Sequence, residues 1–157
     1  MRLTASSPAI DRILVILPTY NEAENVLGLT RLVLEQDERI EVLVVDDGSP
    51  DGTGDRVEEL KSSERRVHLL RRPGKLGLGT AYLAGFRFGL DEGYAFVFTM
   101  DCDFSHNPRY LPQMIEKLDD CDVVVGSRYV KGGGIENWPW YRLLLSRFAN
   151  FYARTLL

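Results

Sequence analysis

Cysteine and histidine are scarce in this 157-residue chain, which has two of each. Cys102 and Cys121 belong to no CxxC pair and to no Cys/His cluster. That excludes a zinc site and a disulfide framework and makes a reduced compartment the default. His68 and His106 stand alone, and no Ser-His-Asp or Cys-His arrangement can be argued from spacing. His68 therefore reads as strand filler and His106 as a loop-orienting side chain, neither as a catalytic base. No apolar run reaches the roughly 18 residues that a membrane-spanning helix requires. Met1–Pro8 lacks the apolar core of a signal peptide, and residues 1–11 read as a disordered lead-in. Internal repeats and low-complexity segments are missing too.

What is present suffices for one globular domain: 45% of the residues are hydrophobic, in a mass of 17.8 kDa. The net charge of −4 is unevenly spread. From Arg128 onward five basic residues face one acid, a net +4, which leaves −8 on the first 127 residues. An acidic body with a basic, aromatic-rich end argues against a nucleic-acid binder, which is usually basic across a whole face. It suits a local anionic partner such as a phosphate or a lipid surface.

Short β-branched runs alternate with helical patterns. Strands are expected at Ile13–Leu17, Ile40–Val45, Val67–Leu70, Ala95–Met100 and Val123–Val125. Between them the patterns predict helices over Ala23–Gln36, Thr53–Lys61, Leu78–Leu90 and Arg109–Leu118. Strands that are continuously apolar rather than alternating, each followed by a helix, predict a mostly parallel α/β sheet covered on both faces. Such sheets bind ligands beyond the carboxyl ends of their strands. The polar clusters fall there: Pro18-Thr19-Tyr20-Asn21-Glu22, Asp46-Asp47-Gly48-Ser49, Asp101-Cys102-Asp103 and Gly126-Ser127-Arg128-Tyr129. All four are expected on one rim. A final helical pattern, Trp140–Leu157, runs out without a Gly, Asn or Pro stop and reads as an element of a longer protein.

Each cluster has a structural and a functional reading. Asp101 and Asp103, two apart in extended backbone, face the same way and offer hard oxygen ligands for Mg²⁺ or Mn²⁺; otherwise they are a polar strand end with a helix cap. Asn21 followed by Glu24 has the spacing of a capping box, which leaves Tyr20 and Glu22 free to meet a nucleobase and a ribose. Ser49 and Pro50 fit the N-cap and first position of a helix, and one of Asp46 and Asp47 remains to accept hydrogen bonds from a base. Gly74-Lys75-Leu76-Gly77-Leu78-Gly79-Thr80-Ala81 is neither a P-loop nor a dinucleotide fingerprint; its glycines serve anion binding or close helix packing. Arg142 and Ser146 lie one helical turn apart. Trp138, Trp140 and Tyr141 around them fit a membrane-interface belt or a buried aromatic cluster equally well.

Taken in order, the clusters resemble the inverting GT-A glycosyltransferases of family 2, and within them the polyprenyl- or dolichyl-phosphate mannosyltransferases. The matching stretches are Pro18–Glu22, Val45–Thr53, Lys75–Ala81, Met100–His106, Gly126–Tyr129 and Asn137–Arg147, within residues 12–157. The resemblance implies a GT-A (Rossmann-like) catalytic domain over 12–157 that is incomplete at its C-terminus. It implies that Pro18, Tyr20, Glu22, Val45 and Asp47 hold the nucleoside of GDP-mannose, with Asp101, Cys102, Asp103 and Arg128 completing the donor site. Cys102 stands where the family commonly has Ala. Asp101 and Asp103, with Ser105, would hold the divalent metal, Mg²⁺ or Mn²⁺. Arg128, Arg142 and Ser146 would meet the acceptor's phosphate, and Asp101, Asp103 and Arg128 would carry catalysis.

The implied reaction is transfer of mannose from GDP-mannose to a polyprenyl monophosphate with inversion. Its expected partners are the nucleotide sugar, the lipid phosphate and a membrane surface, with no nucleic acid. The expected location is the cytoplasmic face of a membrane, reached peripherally or through a downstream transmembrane domain or membrane subunit. Two readings stay beside it: a family 2 enzyme with another donor such as UDP-glucose, and a non-catalytic nucleotide-sugar-binding subunit.

Overall fold

The continuous apolar runs form strands because both of their faces are covered. In the computed structural model, which describes residues 12–127, 130 and 139–156, β1 spans Ile13–Thr19, β2 Ile40–Asp46, β3 Val67–Arg71 and β4 Phe96–Thr99. Every pairing is parallel, in the order β3-β2-β1-β4. The helices α1 (Val26–Leu34), α2 (Thr53–Ser63) and α3 (Leu78–Asp91) connect successive strands. A 3-10 turn at Pro108–Tyr110 then leads into α4 (Leu111–Ile115).

Alternate residues of each strand feed two cores. Ile13, Val15 and Leu17 pack with Val42, Val44 and the Val26, Leu29 and Val33 face of α1. Leu14 and Ile16 pack on the other side with Leu43, Val45 and Ala81 of α3. The expected α/β sheet with helices on both faces is thus present. On the α3 side one glycine sets the depth of packing: a Cβ at Gly85 would lie 2.7 Å from Ile16 Cδ1. The register aligns Thr19 with Asp46 and Asp46 with Arg71, which levels the carboxyl ends of β1, β2 and β3.

The chain divides into two compact units, residues 1–119 and 120–157. The second contains α5, Trp140–Leu156. Tyr141, Leu144, Leu145, Phe148, Tyr152 and Leu156, which share one face of its sequence pattern, are all exposed. Among the described residues no helix is long and apolar enough to cross a membrane.

Several expectations need correction. The Val123–Val125 strand is not formed: these residues take no regular structure, and Val123 and Val125 are exposed. Three residues have too few ladder bonds to persist without a paired neighbour. The Arg109–Leu118 helix is formed as the 3-10 turn and α4, after which the Lys117 and Leu118 N–H groups bond three residues back, to Met114 and Ile115, as tighter turns. Asn21 caps nothing. Its φ of 63° is left-handed, and α1 begins only at Val26, after Asn25. Nor is Ser49 an N-cap, since α2 starts at Thr53 after Gly52, whose φ is 85°. The expected lead-in, residues 1–11, lies outside the described residues.

Candidate active site

Three of the four clusters meet on one rim. The first two are sewn together by hydrogen bonds that explain the displaced caps. The backbone N–H groups of Asn21, Glu22 and Ala23 donate to Ser49 Oγ (3.0 Å), Thr53 Oγ1 (3.0 Å) and Asp51 Oδ2 (2.9 Å). Arg56 returns a bond to the Ala23 carbonyl at 3.0 Å. Donors that a capping box would satisfy locally are satisfied across the rim instead. Asp46 is buried at the base of this seam and accepts from Thr19 Oγ1 at 3.3 Å, from the Ser49 N–H at 3.3 Å and from Ser49 Oγ. Its carboxylate is committed to the scaffold.

Asp47 points along the rim into an ion pair. Arg72 Nε lies 2.7 Å from its Oδ1, with the two side chains 8% and 7% exposed. Arg72 also donates to Asp47 Oδ2 at 3.1 Å, and the Leu76 N–H reaches the same oxygen at 3.2 Å. Through Thr80 Oγ1, 2.9 Å from Arg72, the pair is tied to the first turn of α3. Next to it the Tyr20 ring is 37% exposed, with Lys75 Nζ 4.3 Å from the ring centre. Glu22 is half-buried and accepts from Asn25 Nδ2 at 2.8 Å. Pro18 lies opposite Val45 in the β1–β2 register. The Val45 side chain is fully buried in the α3-side core, so this residue can meet a ligand only through its backbone.

Beyond β4 the chain turns through Asp101-Cys102-Asp103. Cys102 is 3% exposed and packs in the α1-side core, where burial pushes its thiol up to about 12. It is an inert core residue, unsuited to nucleophilic chemistry. Asp101 is half-buried and Asp103 exposed. Tyr82 of α3 donates to Asp101 Oδ1 at 2.9 Å, and the Asp101 N–H donates to His106 Nδ1 at 3.1 Å. His106 therefore orients this loop, as its position suggested. Asp103 Oδ1 accepts from the Ser105 N–H at 2.9 Å, and hydrogen bonding from Ser105 holds its carboxyl below the ordinary carboxylate range. Between them Phe104 is left-handed, with a φ of 60°.

Among the described residues no group of three or more His, Cys, Asp or Glu could cage a metal. Two hard carboxylates on an open loop fit a different type of ion, one that takes its remaining ligands from substrate phosphates and water. Arg142 and Ser146 lie one turn apart on α5, in the second unit, exposed and half-buried respectively. Of the fourth cluster Gly126 and Ser127 are exposed, while Arg128 and Tyr129 lie outside the described residues, as does Trp138.

Sequence reasoning missed Arg72, Lys75 and Tyr82. A signal for Arg72 existed: the basic pair Arg71-Arg72 at the end of β3 stands beside the acidic pair Asp46-Asp47 at the end of β2 in adjacent parallel strands. No comparable signal marked Tyr82, which reaches its partner across 19 residues. The question left open by the Gly74–Ala81 loop is partly answered. A Cβ at Gly77 or Gly79 would meet nothing within 4 Å, so close packing falls to Gly85 and Gly89 instead.

A parallel sheet in the order 3-2-1-4, with its polar clusters on the carboxyl rim, defines a GT-A-like α/β domain. Residues 14–156 match the family described as "Glycosyl transferase family 2", and the chain belongs to that family. The polyprenol monophosphomannose synthase of Mycolicibacterium smegmatis is 50% identical over 148 residues, covering 93% of this chain and 56% of the relative. The undecaprenyl-phosphate mannosyltransferase of Micrococcus luteus is 48% identical over 150 residues, covering 93% and 60%. Among solved structures, the mannosyltransferase PcManGT of Pyrobaculum calidifontis, in complex with GDP-Man and Mn²⁺, aligns with a TM-score of 0.60 and 28% identity. That alignment covers 74% of this chain and 36% of PcManGT. The chain spans little more than half the length of the two curated relatives it matches.

Proposed function

We propose that the protein transfers mannose from GDP-mannose to a polyprenyl monophosphate, inverting the anomeric centre. The observation that carries this reading is the Asp101-x-Asp103 turn at the carboxyl end of β4, on the same rim as Tyr20, Glu22 and Asp47. The names of the two relatives supply the substrate class. In this reading Tyr20, Glu22 and Asp47 take the nucleoside, while Pro18 and Val45 shape the floor beneath it. Asp101 and Asp103, with Ser105 fixing the second, hold a divalent ion. When bound, that ion supplies charge neutralisation for the departing diphosphate. Arg128, Arg142 and Ser146 bind and orient the acceptor's phosphate by charge-assisted hydrogen bonds.

The shortage of histidine is then no obstacle. A phosphate monoester has its second pKa near about 6, so the attacking oxygen is already an anion at neutral pH. No strong general base is needed, and what the protein must supply is placement. The exposed aromatic face of α5 suits contact with the membrane that carries the acceptor's isoprenoid tail.

The test uses full-length protein with membranes and labelled GDP-mannose, UDP-glucose or UDP-N-acetylglucosamine in the presence of Mg²⁺ or Mn²⁺. Label should enter the organic phase from GDP-mannose alone, and excess GDP should suppress it. Asp101→Ala and Asp103→Ala should each cut transfer by at least about 100-fold. Transfer from a UDP-sugar would overturn the donor assignment, and near-normal activity of both variants would overturn the metal-site assignment.

A further inference from the structure

We infer that Tyr82 is a positioning residue for Asp101, holding one carboxylate oxygen so that the other is presented in a fixed direction to the metal–diphosphate. The inference rests on the proposed metal-dependent function and names a residue just beyond the Lys75–Ala81 stretch. Tyr82 donates to Asp101 Oδ1 at 2.9 Å. No other hydrogen bond to that carboxylate is found among the described residues. An aspartate at a strand end keeps χ1 and χ2 freedom, which a ligand would otherwise have to freeze on binding. One short bond from a side chain that is itself fixed removes most of that freedom before the ligand arrives.

The donor is well anchored. Tyr82 is half-buried, and its ring stacks on Phe86 one turn along α3, with centroids 6.5 Å apart and planes at 28°. It packs against the core formed by Leu14, Ile16 and Ala81. The depth of α3 on the sheet is set by Gly85, where any side chain would collide with Ile16. The phenol's reach to the end of β4 is therefore fixed by backbone packing rather than by a flexible tether. A phenol carries its proton at neutral pH and so donates to the carboxylate. A lysine or arginine here would neutralise Asp101; a phenol orients the carboxylate and leaves its charge available to a cation.

Tyr82→Phe keeps the ring, its stacking and the helix, and removes only the hydroxyl. In the full-length protein with GDP present, Mn²⁺ binding followed by electron paramagnetic resonance should weaken about 10-fold. The Mn²⁺ concentration for half-maximal transfer should rise in parallel, with the acceptor KM unchanged. Phe86→Leu loosens the ring's packing but keeps the hydroxyl, so it should cost clearly less Mn²⁺ affinity than Tyr82→Phe. An unchanged Mn²⁺ affinity in a folded Tyr82→Phe, or an equal loss in Phe86→Leu, overturns the inference. Asp101→Asn separates this failure from failure of the underlying reading. If it abolishes Mn²⁺ binding while Tyr82→Phe does not, only the role of Tyr82 falls. If wild-type protein and Asp101→Asn bind Mn²⁺ and GDP alike, the metal site itself is wrong and the inference falls with it.

Discussion

Arg72 shows how the scaffold holds a residue of the proposed nucleoside site. Its guanidinium and the Asp47 carboxylate are both almost fully buried and joined through two contacts, at 2.7 and 3.1 Å. Such a pair is dangerous to break on one side, because the remaining charge keeps its desolvation cost and loses its partner. Arg72→Met should therefore destabilise the protein by about 3 kcal/mol, read from urea denaturation. Adding Asp47→Asn removes the stranded charge, and the double variant should recover at least half of that loss. A double variant as unstable as the single one would show that the stability lies in the packing of Arg72 rather than in the pair. The sequence made Asp47 visible as an acid without a structural reason, but not its partner. Twenty-five residues separate the two, and only the β2–β3 register brings them together.

Elements were most legible where they depend on local pattern alone. The β-branched runs of β1 and β2 are buried along almost their whole length, so a continuous apolar run was a sufficient signal. The start of α1 was hidden for the opposite reason. Asn21, Glu22 and Ala23 spend their N–H groups on Ser49, Thr53 and Asp51 about 30 residues away, and tertiary bonds overrode a good local capping motif. The glycines of the α3 region divide along the same line, between those that face open space and those that face the sheet. Gly85→Ala would place a methyl 2.7 Å from Ile16 and should cost about 1–3 kcal/mol, with a lower urea midpoint. Gly79→Ala, in the first turn of the same helix with nothing within 4 Å, should leave stability unchanged or raise it by up to about 1 kcal/mol. Equal effects from the two would show that helix propensity, not the distance between α3 and β1, governs this element.

At the scale of the whole sheet the two ends of the strands have different tasks. The carboxyl rim gathers acids at the proposed ligand site, Asp46 and Asp47 buried, Glu22 and Asp101 half-buried and Asp103 exposed. The opposite end carries one polar group beside each strand: Arg12 before β1, Glu41 in β2, His68 in β3 and Tyr94 before β4. Arg12 binds Glu41 at 2.7 and 3.1 Å, and Tyr94 and His68 reach Glu41 Oε2 at 2.8 and 2.7 Å. Arg12 also lies 4.1 Å over the Tyr94 ring. Burial pushes the Glu41 carboxyl up, but the bonds from Arg12, His68 and Tyr94 outweigh it and hold the group at about 2, against an ordinary value of 4.5. Protons therefore prefer the unfolded chain. The stabilisation is complete above about pH 4.5 and is lost as the pH falls toward 2. Glu41→Gln should cost about 1–2 kcal/mol at neutral pH, after allowing for solvent screening of this partly exposed cluster. The difference from wild type should shrink as the pH falls through that window, as followed by thermal denaturation. Because Glu41 lies at the amino ends of the strands, transfer activity of the folded variant at pH 7 should stay within about twofold of wild type. A variant whose deficit persisted unchanged at pH 3 would assign the stabilisation to the shape of the glutamate rather than its charge, and a large loss of activity would mean that the two ends of the sheet are coupled.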